Sequence, residues 1–269
     1  VPHHASGSGG LSVEVILALP FALALILYGG GVVFHRRRGS TWPWYRSLFW
    51  VLGVGAAAAG FVGPLAVAAH GDFVAHMGAH LLVGMAAPLL LVLASPVTLA
   101  LRTLHVVPAR RLARILSSWP ARVATAPVVA AVVNVGGMWL LYATPLYDAM
   151  REDVLLHLVV MAHFLLAGYV FTVAIIPIDP APHRAGFPLR IAVLVLALAA
   201  HGILAKTIYA RPPAGVATPE AQAGAMLMYY AGDVIDAVII AVLCAQWYRH
   251  GSFGIRRSAA AVPRHTARG

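Results

Sequence analysis

Hydrophobic positions along this chain come in long unbroken runs, not in the short alternations of strands or the half-apolar stripes of soluble helices. Seven runs stand out, at about 11–34, 47–69, 74–101, 123–143, 154–176, 189–210 and 225–248. Each approaches or exceeds the roughly 20 residues that a helix needs to cross the hydrocarbon core of a bilayer. The polar intervals are loop-sized, the longest being 102–122 and 211–224. The pattern predicts an all-α, polytopic membrane protein. A disordered lead-in (1–10) precedes a seven-helix transmembrane bundle (11–248), and a basic tail (249–269) follows it. The first run is too long and too poorly flanked for a cleavable signal peptide.

Composition narrows the class. The 269 residues are 61% apolar and only 10% charged, with a mean hydropathy of +0.83. Soluble domains have about a quarter of their residues charged. An ordinary cytosolic enzyme and a nucleic-acid binder are therefore excluded, despite the formal charge of +10. The basic residues inform by position. Arg36, Arg37, Arg38, Arg46, Arg102, Arg110, Arg111, Arg114, Arg122, Arg184 and Arg190 fall in loops or at helix ends on one side, with Arg249, Arg256, Arg257, Arg264 and Arg268 in the tail. Of the 19 basic residues, only Arg151, Lys206 and Arg211 are on the other side. The positive-inside rule then puts the N-terminus outside and the C-terminus in the cytoplasm. Segment 109–118 reads either as an amphipathic helix on the inner leaflet, with Leu112, Ile115 and Leu116 toward lipid, or as a plain positive loop. A lone cysteine, Cys244, excludes a disulfide framework and any Cys-based zinc site.

Thirteen histidines against a single lysine is the remaining oddity. An ionisable group inside a membrane costs several kcal/mol and marks a functional site by default. With the topology above, His76, His80, His157, His163, His201, Asp233 and Asp236 all fall in the outer halves of their spans. The deeper five, His80, His163, His201, Asp233 and Asp236, lie roughly 10–17 Å below the outer surface at 1.5 Å per helical residue. His76 and His80 are four apart, a spacing at which two imidazoles on one helix face can hold a single ion. Asp233 and Asp236 also share a face. His157 and His163, six apart, are rotated by about 240° and cannot both point at one centre equally well. The deeper His163 is favoured as ligand, with His157 at the mouth or in support. Imidazole with carboxylate and without thiolate suits Cu(II), Zn or Fe, and Met77, Met138 and Met161 in outer halves add Cu(I).

The third run, HMGAHLLVGMAAPLLLVLASPVTLALR (76–102), resembles the signature of the seven-helix CtaG family of bacterial cytochrome c oxidase assembly proteins. The resemblance continues through HFLLAGYVF (163–171), IDPAP (178–182), the His201-Gly202 step and QAGAMLMYYAGD (222–233), covering roughly 45–250. The chain departs from the family at Met228-Tyr229-Tyr230, where a Trp-containing stretch is common. The resemblance implies a non-enzymatic factor of the bacterial plasma (inner) membrane. It would bind copper in the outer half of the membrane and help insert it into the buried site of heme-copper oxidase subunit I. Extracytoplasmic copper chaperones and membrane lipid are the further partners expected. Carried over by position, its candidate residues are His76, His80, His163, His201 and Asp233.

Two other readings are consistent with paired intramembrane histidines: a membrane copper transporter and a b-type heme protein. The inner halves, however, carry few polar groups beyond Thr98, Asn134 and Thr172. A retinal protein requires a Schiff-base lysine in the last helix, and the only lysine, Lys206, is in the sixth run.

Overall fold

A computed structural model describes residues 8–260, with side chains for 13–249. Residues 1–7 of the expected lead-in and 261–269 of the tail lie outside the described residues. Among the described residues the fold is all-α, without strands. In chain order the helices are α1 (Ser8–Arg37), α2 (Trp44–Ala59), α3 (Pro64–Ala68), α4 (Phe73–Leu81), α5 (Ala87–Leu93), α6 (Pro96–Thr103) and α7 (Val106–Leu116). They continue as α8 (Trp119–Ala124), α9 (Pro127–Ala143), α10 (Leu146–Glu152), α11 (Val154–Ile175), α12 (Phe187–Ala210) and α13 (Thr218–Ala260).

Among the described residues, six segments are long and apolar enough to cross a membrane: Val13–Arg37, Trp44–Ala68, Phe73–Leu93, Val154–Ile175, Phe187–Ala210 and Thr218–Arg249. The chain is thus built as a multi-pass membrane protein. The fourth expected span takes a different form. Helix α9 has 17 residues, and passes the same test only together with α10, from which it is bent by 79°. Pro145, at the N-cap of α10, stands at this corner.

The segment Phe73–Leu93 is the most buried of the six, and Val13–Arg37 the least. The central segment is not a regular helix. Residues Leu82–Ala86 form a π-helical turn between α4 and α5. Pro88 explains it: proline has no N–H to give Gly84 O and its ring collides with a carbonyl four residues back. Widening the turn by one residue relieves the collision. Helix α11 crosses at this point, and a Cβ on Gly168 would fall onto Gly84 O, so only glycine allows the approach.

Helix ends are tied down by carboxylates. Asp72 caps α4 through Val74 N (2.7 Å) and Ala75 N (3.0 Å), and Glu220 of α13 accepts from Phe73 N at the same terminus. Asp153 caps α11 through Leu155 N (2.8 Å) and Leu156 N (3.2 Å). At the opposite end of the bundle, Asp179 accepts from Val97 N (3.2 Å), Thr98 N (2.8 Å) and Thr98 Oγ1 (2.5 Å). That clamp follows Ser95, whose φ of 54° breaks the chain between α5 and α6. Anions at a helix N-terminus satisfy its free N–H groups and oppose its dipole.

Two apolar clusters are stacked along the bundle. One, at the His-rich end, joins Phe73, Met77, Met138, Leu141, Phe164 and Leu204 among others. The other, at the Arg-rich end, joins Leu89, Phe171, Ile175, Leu194, Ile239 and Leu243. The expected amphipathic segment forms α7, which buries none of its residues. Cys244 is free and exposed.

Candidate functional site

Between the two clusters lies a cavity of about 30 Å³, lined by His80, Gly84, Asn134, Met138, His201 and Asp236 together with apolar side chains. A cavity of that size holds one or two waters or a single ion. Four elements position its polar walls. His80 comes from the last turn of α4, next to the π turn, and is 1% exposed. His201 comes from α12 and lies against Gly232 of α13. Asp236 of α13 is also buried, and Asn134 belongs to α9.

The ring nitrogens of His80, Nδ1 and Nε2, are both buried without a hydrogen-bond partner, as is Nε2 of His201. Buried polar atoms are nearly always paired, and each one left unpaired costs about 1–3 kcal/mol. Unpaired imidazole nitrogens beside a void and a carboxylate carry the donor chemistry of a d-block metal site. Among the described residues, no group of three or more His, Cys, Asp or Glu side chains stands close enough to hold an ion as they lie.

His76 lies one turn before His80 and is equally buried. Its Nε2 is 3.0 Å from Tyr142 Oη. The Tyr142 ring is edge-on to both histidines, at centroid distances of 6.1 Å from each. Tyr142 therefore stands between the pair that the sequence spacing puts on one face. His157 is buried and meets His76 edge-on at 6.3 Å, while its other side stacks on His70 at 4.4 Å.

The structure thus brings His76 together with His157, and His80 with His201 and Asp236. His163 is not among them. It faces Gly137 of α9, where an added Cβ would collide with His163 Nε2, and it lines an apolar groove with Val129, Val133, Leu166 and Val170. Helix α11 turns His157, Met161, Phe164, Gly168 and Phe171 inward. His163 is one residue off that stripe, about 100° around the helix. Asp233 is exposed and Asp236 buried, so the two acids do not share the cavity equally.

Tyr142, Tyr147 and His70 were not reached by sequence reasoning. Tyr147 packs on His76 at 5.2 Å from α10. Its position depends on the bend after α9, which no periodicity announces. The turn preceding Asp72 carries His70, and the signal available there was its proximity to the α4 histidines in sequence.

A family model described as cytochrome c oxidase caa3 assembly factor matches residues 26–250. The chain is 33% identical over 183 residues to an uncharacterized protein of Mycobacterium bovis and to one of Mycobacterium tuberculosis, covering 65% of this chain and 27% of each relative. An uncharacterized protein of Mycobacterium leprae is 33% identical over 254 residues, covering 85% of this chain and 38% of the relative. The chain therefore spans well under half the length of these relatives. No solved structure matches it.

Proposed function

The chain belongs to the cytochrome c oxidase caa3 assembly factor family, and from that premise we propose that it carries copper, as cargo, to the buried site of heme-copper oxidase subunit I. The role is non-catalytic: the ion is held and released, and no covalent bond of a substrate is made or broken. The proposed holding site is the cavity bounded by His80, His201 and Asp236, with His76 and Tyr142 above it. One observation carries this reading: three unpartnered imidazole nitrogens, two of His80 and one of His201, on residues that line a void of about one ion's volume.

Closed structural metal sites keep their ion by complete ligation. A carrier must give the ion up, which suits a chamber without three ligands already converged. The proposed setting is the bacterial plasma membrane. The chain crosses it seven times, the bent α9–α10 pair included, with the N-terminus outside and the C-terminus in the cytoplasm. The Arg-rich end then faces inward, and the chamber lies on the outer side of the membrane centre. Passing the ion sideways at that depth avoids carrying it across lipid. The apolar cluster of Leu89, Phe171, Ile175, Leu194, Ile239 and Leu243 fills the inner half, which favours a carrier over a transporter.

Metal analysis of the purified protein tests the proposal. Wild type is expected to hold about one equivalent of copper, and the double variant His76→Ala/His80→Ala to hold none while keeping its helical circular dichroism. Full retention by a folded double variant, or no copper in wild type, overturns it.

A further inference from the structure

Asp233 is not among the residues that line the chamber. It is exposed on α13, while Gly232 and Asp236 on either side of it are buried. Gly232 packs against the His201 ring. That places Asp233 level with His201, about 14 Å from the end of α12 on the His-rich side at a rise of 1.5 Å per residue. Tyr230, Val234, Ala237 and Val238 of α13 are exposed as well, which marks this side of the helix as the one turned to lipid. Among the described residues Asp233 forms no hydrogen bond or ion pair. Carboxylates inside a membrane almost always face the bundle interior and pair there. Asp233 faces outward with the chamber directly behind it, and its charge acts on His201, which lines the cavity.

One turn nearer the His-rich end, the same face opens into a groove of about 450 Å³ between α12 and α13. Tyr209, Met226, Tyr229 and Tyr230 line it together with Lys206, whose ammonium stands over the Tyr229 ring at 5.4 Å. Tyr229 and Asp233 are four apart and therefore share a face. The seam between the two helices thus offers a cation and phenol hydroxyls in a recess, and an anion below them at hydrocarbon depth. A phospholipid could set its phosphate on Lys206 but would leave Asp233 against acyl chains. A second copy, related by a two-fold axis along the membrane normal, keeps equal residues at equal depth and would bring Asp233 against Asp233. A spanning helix of a different protein, with an arginine, lysine or histidine at that depth, pairs the carboxylate.

We propose that the α12–α13 face centred on Asp233 is the surface on which oxidase subunit I docks, through a membrane-spanning helix that presents a cationic side chain to Asp233 and fills the groove above it. The proposal rests on the carrier reading above and adds the side of the bundle that meets the receiving protein. Docking there sets the partner against the chamber wall made by His201 and Asp236.

Site-directed photo-crosslinking tests the face. The full chain is produced together with subunit I of the same organism, with benzoylphenylalanine placed at Val234 or, on another side of the bundle, at Leu166 of α11; the two positions are exposed alike, at 67% and 65%. Crosslinks to subunit I are expected from Val234, and about tenfold fewer from Leu166. Asp233→Leu is expected to lower the Val234 yield about tenfold, with bound copper and helical circular dichroism unchanged, and Asp233→Glu to keep the wild-type yield. No crosslinks from Val234, equal yields from both positions, crosslinks joining two copies of this chain, or an Asp233→Leu yield equal to wild type overturns the docking face. Copper lost from folded Asp233→Leu also overturns it, by making Asp233 a chamber ligand. Wild type that holds copper without the crosslinks leaves the carrier reading standing alone; wild type that holds no copper but keeps the crosslink pattern overturns the carrier reading and leaves the docking face.

Discussion

At the Arg-rich end of the bundle, Asp179 directs both carboxylate oxygens at the start of α6, and Arg190 donates to Ile175 O at 2.9 Å and to Gln246 at 3.2 Å. At the His-rich end, His80 and His201 are as deeply buried, yet three of their ring nitrogens meet no partner. Unpartnered atoms occur at the Arg-rich end too: His35 Nε2, Ser95 Oγ and Arg190 Nε. Arg190 is nevertheless anchored through its terminal nitrogen. Among the described residues, only the cavity between the clusters brings two incompletely paired imidazoles and a buried carboxylate to one void. The contrast separates polar groups that hold the fold from polar groups that weaken it. The proposed ion would offset that cost at the one void where the unpaired nitrogens and the carboxylate gather.

Replacing both imidazoles tests that contrast most sharply. His80→Leu with His201→Leu is expected to take copper from about one equivalent to none, while thermal stability in detergent stays level or rises. Exchanging unpaired buried polar groups for apolar ones of similar size removes a desolvation penalty. Copper retained by the double variant, or a large fall in melting temperature, would put these histidines in the same class as the clamp at the other end.

The clamp itself should respond in the opposite way. Asp179→Ala removes acceptors from Val97 N, Thr98 N and Thr98 Oγ1. A lost N-terminal cap costs about 1–2 kcal/mol, and the left-handed backbone at Ser95 next to it has less to hold it in place. A lower unfolding temperature with unchanged copper stoichiometry is expected from calorimetry and metal analysis of the same sample. Copper lost from a folded Asp179→Ala protein would erase the distinction between the ends.

Tyr142→Phe probes the boundary of the chamber. The hydroxyl that meets His76 Nε2 at 3.0 Å goes, and the ring between His76 and His80 stays. A stability loss of about 1 kcal/mol is expected, along with copper binding weakened roughly tenfold through a less well oriented His76. Competition titration against a chelator of known affinity measures the second effect. Unaltered affinity would limit the chamber to His80, His201 and Asp236.

Much of this arrangement was legible in the chain. Hydrophobic run length located every long helix, because crossing a bilayer sets a minimum length that soluble folds do not impose. The run at 123–143 was found as well, but not the 79° corner at its end. That corner depends on Pro145 and on how Tyr147 packs against His76. Depth along each helix groups His76, His80, His157, His163, His201, Asp233 and Asp236, since a known rise per residue converts position into height; of these, His80, His201 and Asp236 line one cavity. Facing was harder to read. Helix α11 is apolar nearly all round, so no polar stripe shows which side turns inward. The small residue Gly168 marks the close crossing with the π turn, and it aligns with His157 and Phe164, whereas Ala167 lines the groove with His163. The π turn adds a further displacement that a regular 3.6-residue period cannot anticipate.

His163 therefore supplies the smallest and most exacting prediction. It has a buried, unpartnered Nε2, but that nitrogen lies directly against Gly137 of α9, beside an apolar groove of about 220 Å³. Height alone would count it with His80; facing separates them. His163→Leu fills that groove with apolar atoms, so stability should change by no more than about 0.5 kcal/mol or rise slightly. Copper stoichiometry and affinity should equal those of wild type. A fall in copper binding as deep as that of the His80/His201 variant would mean that α11 rotates when the ion binds, bringing His163 to the cavity. The contrast would then lie between two states of one helix, and distances across α9 and α11 measured with and without copper would show the rotation directly.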